Sequence, residues 1–205
     1  MMCMDFDEIE NNLADLKEYA RENFIPIIRD KSAKFLYDFV KENKPKAVLE
    51  IGTAVGYSGS LILSAGVDAL TTIEIRRESC EIAKETFLNM GFSNHVNMYL
   101  GDAKDVLAEL KLNKYKFDMI FLDGAKGQYI NYLPTLIDLL NTDAVIFADN
   151  VLLQGMVESN EKIPHRKRTM VVNLRRYLEA VNKSPFETEI IRLEDGIAIT
   201  KYKGE

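Results

Sequence analysis

The feature that most constrains this chain is an alternation. Five short apolar runs, at Ala47–Ile51, Ala69–Ile75, Val96–Leu100, Phe117–Leu122 and Ala144–Ala148, are separated by helix-like segments at 58–65, 77–90, 103–110 and 129–140. Short apolar runs suit strands buried on both faces. Strands that alternate with helices pair in parallel, because each crossover helix packs back onto the sheet. Two helices are expected before the first run. One covers 5–24, with Ile9, Leu13, Leu16, Ala20 and Phe24 at steps of three or four. The other covers 31–43, with Phe35, Leu36, Phe39 and Val40 on one face and Lys44-Pro45 as its stop. A last helix over 166–181 precedes two β-like runs, Thr188–Leu193 and Ile197–Tyr202, joined at Glu194-Asp195-Gly196, which reads as a hairpin. The expectation is an α/β fold: a doubly wound, mostly parallel seven-stranded sheet with a C-terminal antiparallel hairpin and helices on both faces. It forms a single domain over 1–205, with N-terminal helices in 1–44 and the core in 45–205.

Composition excludes several classes. The 26 basic and 32 acidic side chains give a net charge of −6, which argues against coating nucleic acid by bulk charge but leaves room for a local basic face. The two cysteines, Cys3 and Cys80, are too few for a disulfide framework. The two histidines, His95 and His165, are too few for a zinc site. The first residues, Met1 to Glu8, are acidic and lack the apolar centre of a secretion signal. No run of about 18 apolar residues is present to span a membrane. A cytoplasmic protein without a membrane partner is expected.

In an open parallel sheet, ligands bind beyond the carboxyl ends of the strands. Here those ends carry Glu50, Glu74, Asp102, Asp123 and Asp149-Asn150. One acidic residue after a strand is ordinarily a loop starter or helix cap. Five in register point to a site. The glycine loop narrows the ligand. Gly52 and Gly56 stand four apart behind the carboxylate of Glu50, unlike the GxGxxG loop that seats a pyrophosphate. Glu74 lies 22 residues past Gly52, where an acidic side chain can accept from both hydroxyls of a ribose. Asp102 could accept from an adenine amino group. Together they describe a nucleoside pocket without phosphates.

The stretch Val48-Leu49-Glu50-Ile51-Gly52-Thr53-Ala54-Val55-Gly56-Tyr57-Ser58 resembles the S-adenosylmethionine loop of class I methyltransferases. More narrowly, it resembles the catechol-type, metal-dependent O-methyltransferases. That resemblance continues through Ile120-Phe121-Leu122-Asp123-Gly124-Ala125-Lys126-Gly127-Gln128-Tyr129 and Phe147-Ala148-Asp149-Asn150-Val151-Leu152, and covers about residues 25–202. The Lys126–Tyr129 and Asp149–Leu152 stretches and the ending Asp195-Gly196-Ile197-Ala198-Ile199 are similar to one bacterial branch, the tRNA 5-hydroxyuridine methyltransferases. The resemblance implies a Rossmann-like fold and S-adenosylmethionine as methyl donor. The donor would be held by Ile27, Glu50, Gly52, Gly56, Tyr57, Ser58, Glu74, Asp102, Ala103 and Asp123. Tyr57 and Ser58 either cover the methionine part of the donor or, for Ser58, cap a helix. Ile27 either closes over the donor or packs in the core, and the polar Gly/Gln stretch usual in catechol-type enzymes is absent there.

The resemblance also implies that Asp123, Asp149 and Asn150 hold Mg²⁺ (or Mn²⁺). Two carboxylates and an amide oxygen suit a hard divalent cation; the alternative for Asp149-Asn150 is a cap or Asx turn. Catalysis is assigned to Asp123 and Lys126. Lys126 takes the acceptor's proton or steers an anionic substrate by charge. The sulfonium donor needs no metal activation. A chelated cation stabilises the acceptor oxyanion and fixes its direction. A uridine 5-hydroxyl beside O4 offers two such oxygens, as a catechol does.

The acceptor is either RNA or a small phenol. Residues 162–176 carry Lys162, Arg166, Lys167, Arg168, Arg175 and Arg176 with no acid, and Arg29 and Lys31 stand near the donor-covering segment. Such a patch in an acidic chain suits a phosphate backbone, against the alternative of a solvated helix face. A tRNA substrate is therefore expected, with catechol or caffeoyl-type phenols as the alternative and a non-catalytic binding module as the third. The family resemblance implies a homodimer.

Overall fold

A computed structural model describes residues 4–203. Met1, Met2 and Cys3, on which part of the N-terminal reading fell, lie outside the described residues, as do the last two. The chain divides between Val106 and Leu107 into two compact units. The first contains α1 (Phe6–Asn12), α2 (Ala14–Glu22), α3 (Asp30–Asn43), β1 (Ala47–Ile51), α4 (Tyr57–Ser64), β2 (Ala69–Glu74), α5 (Arg77–Asn89), β3 (Val96–Leu100) and the start of α6 (Ala103–Leu112). The second contains β4 (Phe117–Leu122), α7 (Tyr129–Leu139), β5 (Leu140–Ala148), α8 (Arg168–Val181), β6 (Phe186–Ile191) and β7 (Ile197–Tyr202).

The strand order is β3-β2-β1-β4-β5-β7-β6 in one seven-stranded sheet. β1 pairs in parallel with β2, β2 with β3 and β4 with β5, whereas β7 runs antiparallel to both β5 and β6. This is the Rossmann-like, mostly parallel sheet with an antiparallel end that the alternation predicts. The last strand of the chain is inserted inside the sheet and β6 takes the edge. Burial explains the order: Ile197, Ala198 and Thr200 of β7 are fully buried, whereas Glu187 and Glu189 of β6 face solvent. A strand carrying alternate glutamates fits only where one face stays wet.

Several boundaries differ from the sequence reading. The first expected helix is two, interrupted at Leu13, whose φ of −102° and ψ of 8° leave the helical region after the weak helix formers Asn11 and Asn12. On α3, Ala33, Leu36, Tyr37 and Val40 form the buried row, while Phe35 and Phe39 are half-buried flanks. β5 starts at Leu140 rather than Ala144. Leu140 pairs with Phe117 ahead of a register shift, an extension that the polar Asn141-Thr142-Asp143 hides from a hydropathy pattern. α8 begins at Arg168 after a 3₁₀ turn at His165–Lys167. Among the described residues, no helix is long and apolar enough to cross a membrane.

The β6–β7 turn also fixes the segment after β5. The Val151 amide donates to the Gly196 carbonyl at 3.0 Å and the Leu152 amide to the Asp195 carbonyl at 2.8 Å. Gly196 has φ +80°, and a Cβ there would lie 2.3 Å from Leu152 Cγ. Gly196→Ala is therefore expected to cost about 2–4 kcal/mol, combining left-handed strain with overpacking, read as a lowered urea midpoint at unchanged slope.

Candidate functional site

In the first unit, the chemistry gathers where β1 and β2 end. Gly52 and Gly56 bracket the loop with φ of 105° and 85°, a conformation that lets the chain leave β1 and turn at once into α4. A Cβ on Gly56 would meet Ala83 of α5 at 3.3 Å, so the loop also passes close to that helix. All eight residues of α4 are buried. Glu50 is fully buried, and its carboxylate accepts from Ser58 Oγ and Thr72 Oγ1, each at 2.6 Å. Thr53 Oγ1 lies 2.6 Å from Thr72 Oγ1; because the one Thr72 proton goes to Glu50, Thr53 is the donor. The network ties the strand, loop and helix together. Ser58 does not cap α4, since the cap position is Gly56.

Glu74 holds the loop from the other side. Its Oε2 accepts from the Ala54 amide and its Oε1 from the Arg76 amide, both at 2.8 Å. Each oxygen keeps a further lone pair for a ligand hydroxyl. Tyr57 is buried, and its hydroxyl donates to Glu10 Oε1; burial, then the Glu10 carboxylate, push its ionisation well up. Lys17 bridges Glu10 at 2.5 Å and Asp30 at 2.8 Å, so α1, α2 and α3 all reach the start of α4 through one polar cluster. Asp102 is exposed and its Oδ1 accepts from the Lys104 amide at 2.8 Å, the bond of a helix N-cap on α6. Ala103 and Ile27 are half-buried; the residue committed to the core beside Ile27 is Ile28.

In the second unit, β4 and β5 lead into two carboxylates, half-buried Asp123 and buried Asp149. Lys126 Nζ approaches Asp123 Oδ1 at 3.3 Å across a 3₁₀ turn, Lys126–Gln128. Asp149 is fully buried, and neither of its carboxylate oxygens has a hydrogen-bond partner. Burial, reinforced by the charge of Asp123, pushes the Asp149 carboxyl up to about 7, with the charge of Lys126 pulling the other way. Burial also raises Asp123, against the opposing pull of Lys126. Asn150 takes the left-handed region at φ 57°, which asparagine tolerates better than most residues. Orphaned carboxylate oxygens at no accessible surface fit a bound cation, which would supply the missing positive partner. Among the described residues no three Asp, Glu, His or Cys side chains converge on one point.

The surroundings contain contacts that motif reading did not reach. Tyr129 is fully buried, and its hydroxyl donates to the carbonyls of Leu122 at 2.9 Å and Asp149 at 3.3 Å. Asn173 of α8 donates to the Gly127 carbonyl at 2.7 Å, clasping the Lys126 turn. Glu158 and Arg192 form a two-bond ion pair at 2.7 and 2.8 Å. Tyr129 was visible as part of the Lys126–Tyr129 motif, but a hydroxyl aimed at backbone carbonyls has no sequence signature.

The cations singled out in the sequence divide. Arg166, Arg168 and Arg176 are exposed, and Lys167 is half-buried with Nζ 3.5 Å from Gln154 Oε1. Arg29 and Lys31 are exposed in the first unit. Arg175 instead donates to the carbonyls of Val157 at 2.8 Å, Met156 at 3.3 Å and Ser159 at 2.6 Å, bracing the loop after Asn150.

The mostly parallel sheet carries Glu50 and Glu74 at the ends of β1 and β2, and Asp123 and Asp149 directly after β4 and β5. The O-methyltransferase family model matches residues 6–203, and the chain belongs to that family. A caffeoyl-CoA O-methyltransferase from Arabidopsis thaliana is 30% identical over 178 residues, covering 82% of this chain and 68% of the plant protein. A caffeoyl-CoA O-methyltransferase-type protein from Staphylococcus aureus superposes with a TM-score of 0.85 at 28% identity, covering 95% of this chain and 96% of its own. The O-methyltransferase TomG from Streptomyces achromogenes, solved with S-adenosylmethionine, gives 0.83 at 27% identity, covering 94% and 89%.

Because the Asp149 carboxyl is raised in the folded state, its contribution to stability is full below about pH 4 and is lost as pH rises toward its folded value. In chelator, the stability of Asp149→Asn relative to the parent chain is expected to rise between pH 5 and 8 by on the order of 1–3 kcal/mol. Urea unfolding at each pH reads this out, and parallel profiles would contradict it.

Proposed function

We propose that this O-methyltransferase moves a methyl group from S-adenosylmethionine to the 5-hydroxyl of 5-hydroxyuridine in tRNA, giving 5-methoxyuridine at the wobble position. The observation that carries the reaction class is the carboxylate pair at the ends of β4 and β5: half-buried Asp123 and fully buried Asp149, the latter with both oxygens unpartnered. Supporting the donor are Glu74, with lone pairs left for ribose hydroxyls, and the glycine loop that Glu74 holds through Ala54.

The donor's sulfonium carbon–sulfur bond breaks as the acceptor oxygen forms its bond to the methyl carbon. The bonding pair returns to sulfur, leaving a neutral thioether, and the hydroxyl proton passes to solvent water before or during attack. Asp123, Asp149 and the Asn150 amide would hold a Mg²⁺ or Mn²⁺ ion, which when bound supplies the positive charge that stabilises an acceptor oxyanion. Lys126, ion-paired with Asp123, adds a second positive charge that orients an anionic acceptor. Arg166, Lys167, Arg168 and Arg176 bind phosphates of the RNA, and Arg175 holds the loop on which part of the acceptor rests. Arg29 and Lys31, exposed on the first unit, offer phosphate-binding charge of their own.

A second reading is methylation of a caffeoyl-type or other catechol phenol, favoured by the Arabidopsis relative. One assay separates the two: methyl transfer to tRNA carrying 5-hydroxyuridine and to a catechol, each with magnesium and with chelator. Magnesium-dependent label in the RNA, lost in Asp149→Ala, is the expected result. Label only in the catechol would assign the second reading. Lys126→Arg, which keeps the charge, is expected to hold kcat within about tenfold, whereas loss of a general base would cost about 10²-fold or more.

A further inference from the structure

Asp123 and Asp149 are brought together by backbone, so the groups that fix that backbone govern the pair. The Leu122 carbonyl belongs to the peptide that leads into Asp123. It accepts from the Asp149 amide at 2.9 Å and from the Tyr129 hydroxyl at 2.9 Å, which occupies both of its lone pairs. The same hydroxyl reaches the Asp149 carbonyl at 3.3 Å, and that carbonyl belongs to the peptide joining Asp149 to Asn150. One phenolic proton is thus shared between the two peptide planes that carry all three candidate cation ligands. The ring behind it cannot drift. Tyr129 is fully buried as the first residue of α7, packs edge-on against Tyr177 of α8 at 5.7 Å, and follows a turn whose Gly127 carbonyl is held by Asn173.

We infer that Tyr129 is a positioning residue: its hydroxyl locks the peptides bearing Asp123, Asp149 and Asn150 in one relative setting, and thereby presets the cation ligands. The inference rests on the reading that these three residues hold a divalent cation. A hydroxyl with no role in the pair could have bonded any buried carbonyl. This one spans the two whose displacement would turn the ligand side chains, and it does so from beneath the strand ends, where it cannot touch substrate.

Two variants test it. Tyr129→Phe removes the hydroxyl and keeps the ring, and Tyr177→Phe removes a hydroxyl from the stacked neighbour as a control. The first readout is amide hydrogen exchange in chelator, which needs no metal. Tyr129→Phe is expected to speed exchange of the Asp149 amide about fivefold, the effect of one hydrogen bond, while the rest of β5 stays unchanged. The second is Mn²⁺ binding followed by electron paramagnetic resonance. Tyr129→Phe is expected to bind about fivefold or more weakly, with Tyr177→Phe like the parent chain. Unchanged Mn²⁺ affinity in Tyr129→Phe, or acceleration spread evenly over β4 and β5, would overturn the inference. If the parent chain binds no Mn²⁺, the metal reading fails on its own, and the exchange experiment decides: acceleration confined to the Asp149 amide upholds the positioning of the pair, and none overturns it.

Discussion

A carboxylate held in the interior beside a second, half-buried one sets the terms for the second unit of this protein. A carboxylate transferred out of water without partners is costly, and a second carboxylate beside it makes both harder to ionise. Asp149 has no accessible surface and no hydrogen-bond partner on either oxygen, and its carboxyl titrates near 7 in consequence. Such an arrangement persists only if the surroundings leave the chain no way to relax it. Here the Asp149 amide is locked to Leu122, the Tyr129 hydroxyl bonds at both strand ends, and Val151 and Leu152 are bound to the turn at Asp195-Gly196. The loop beyond is braced by Arg175 and by the Glu158–Arg192 pair. Structure that would otherwise seem redundant serves to keep an unfavourable charge pair where it is.

Glu50, in the first unit, shows the opposite solution to the same physical problem. It is equally buried, yet its carboxylate accepts from two hydroxyls, and a third hydroxyl supports one of those. A buried charge so supplied is satisfied by the fold itself. Glu50 and Glu74 stand at the ends of β1 and β2, and the family resemblance implies both as ligands of the donor. Their hydrogen bonds separate them: Glu50 braces α4 and β2 against β1, while Glu74 shapes the loop with backbone amides and retains acceptor capacity. The contrast between a saturated and an unsaturated buried carboxylate is a physical criterion for telling support from ligand. By that criterion Asp149 stands furthest toward ligand.

Charge also organises the outer surface. The chain is acidic as a whole, yet Arg166, Lys167, Arg168 and Arg176 follow the acidic pair in sequence within one short stretch. A cationic patch on an anionic protein concentrates attraction at one place, because the remaining surface repels polyanions. Arg175 belongs to the same stretch by sequence but spends its donors on three carbonyls of its own chain. Side chains adjacent in sequence point about 100° apart around a helix, so one run of cations serves both structure and surface.

Much of the fold was legible in the sequence because it depends on periodicity. The five apolar runs became β1 to β5 and the hairpin became β6 and β7; β1, β2 and β4, buried on both faces, leave an unbroken record, whereas β3 at the sheet edge is half-exposed. The break at Leu13, the early start of β5 and the insertion of β7 inside the sheet were not legible; they follow from backbone pairing and burial across long separations. The acidic strand ends were likewise visible as residues. Which of them are satisfied was not, because a hydrogen bond such as Thr72 to Glu50 or Tyr129 to Leu122 joins positions that no local pattern relates. The sequence alone therefore determined the order of elements and the set of chemical groups, through hydrophobic period and residue type. Only the tertiary structure decided that Glu50 is a brace, that Arg175 is a strut and that Asp149 is left unpartnered, because satisfaction of a buried charge is a property of its three-dimensional neighbours.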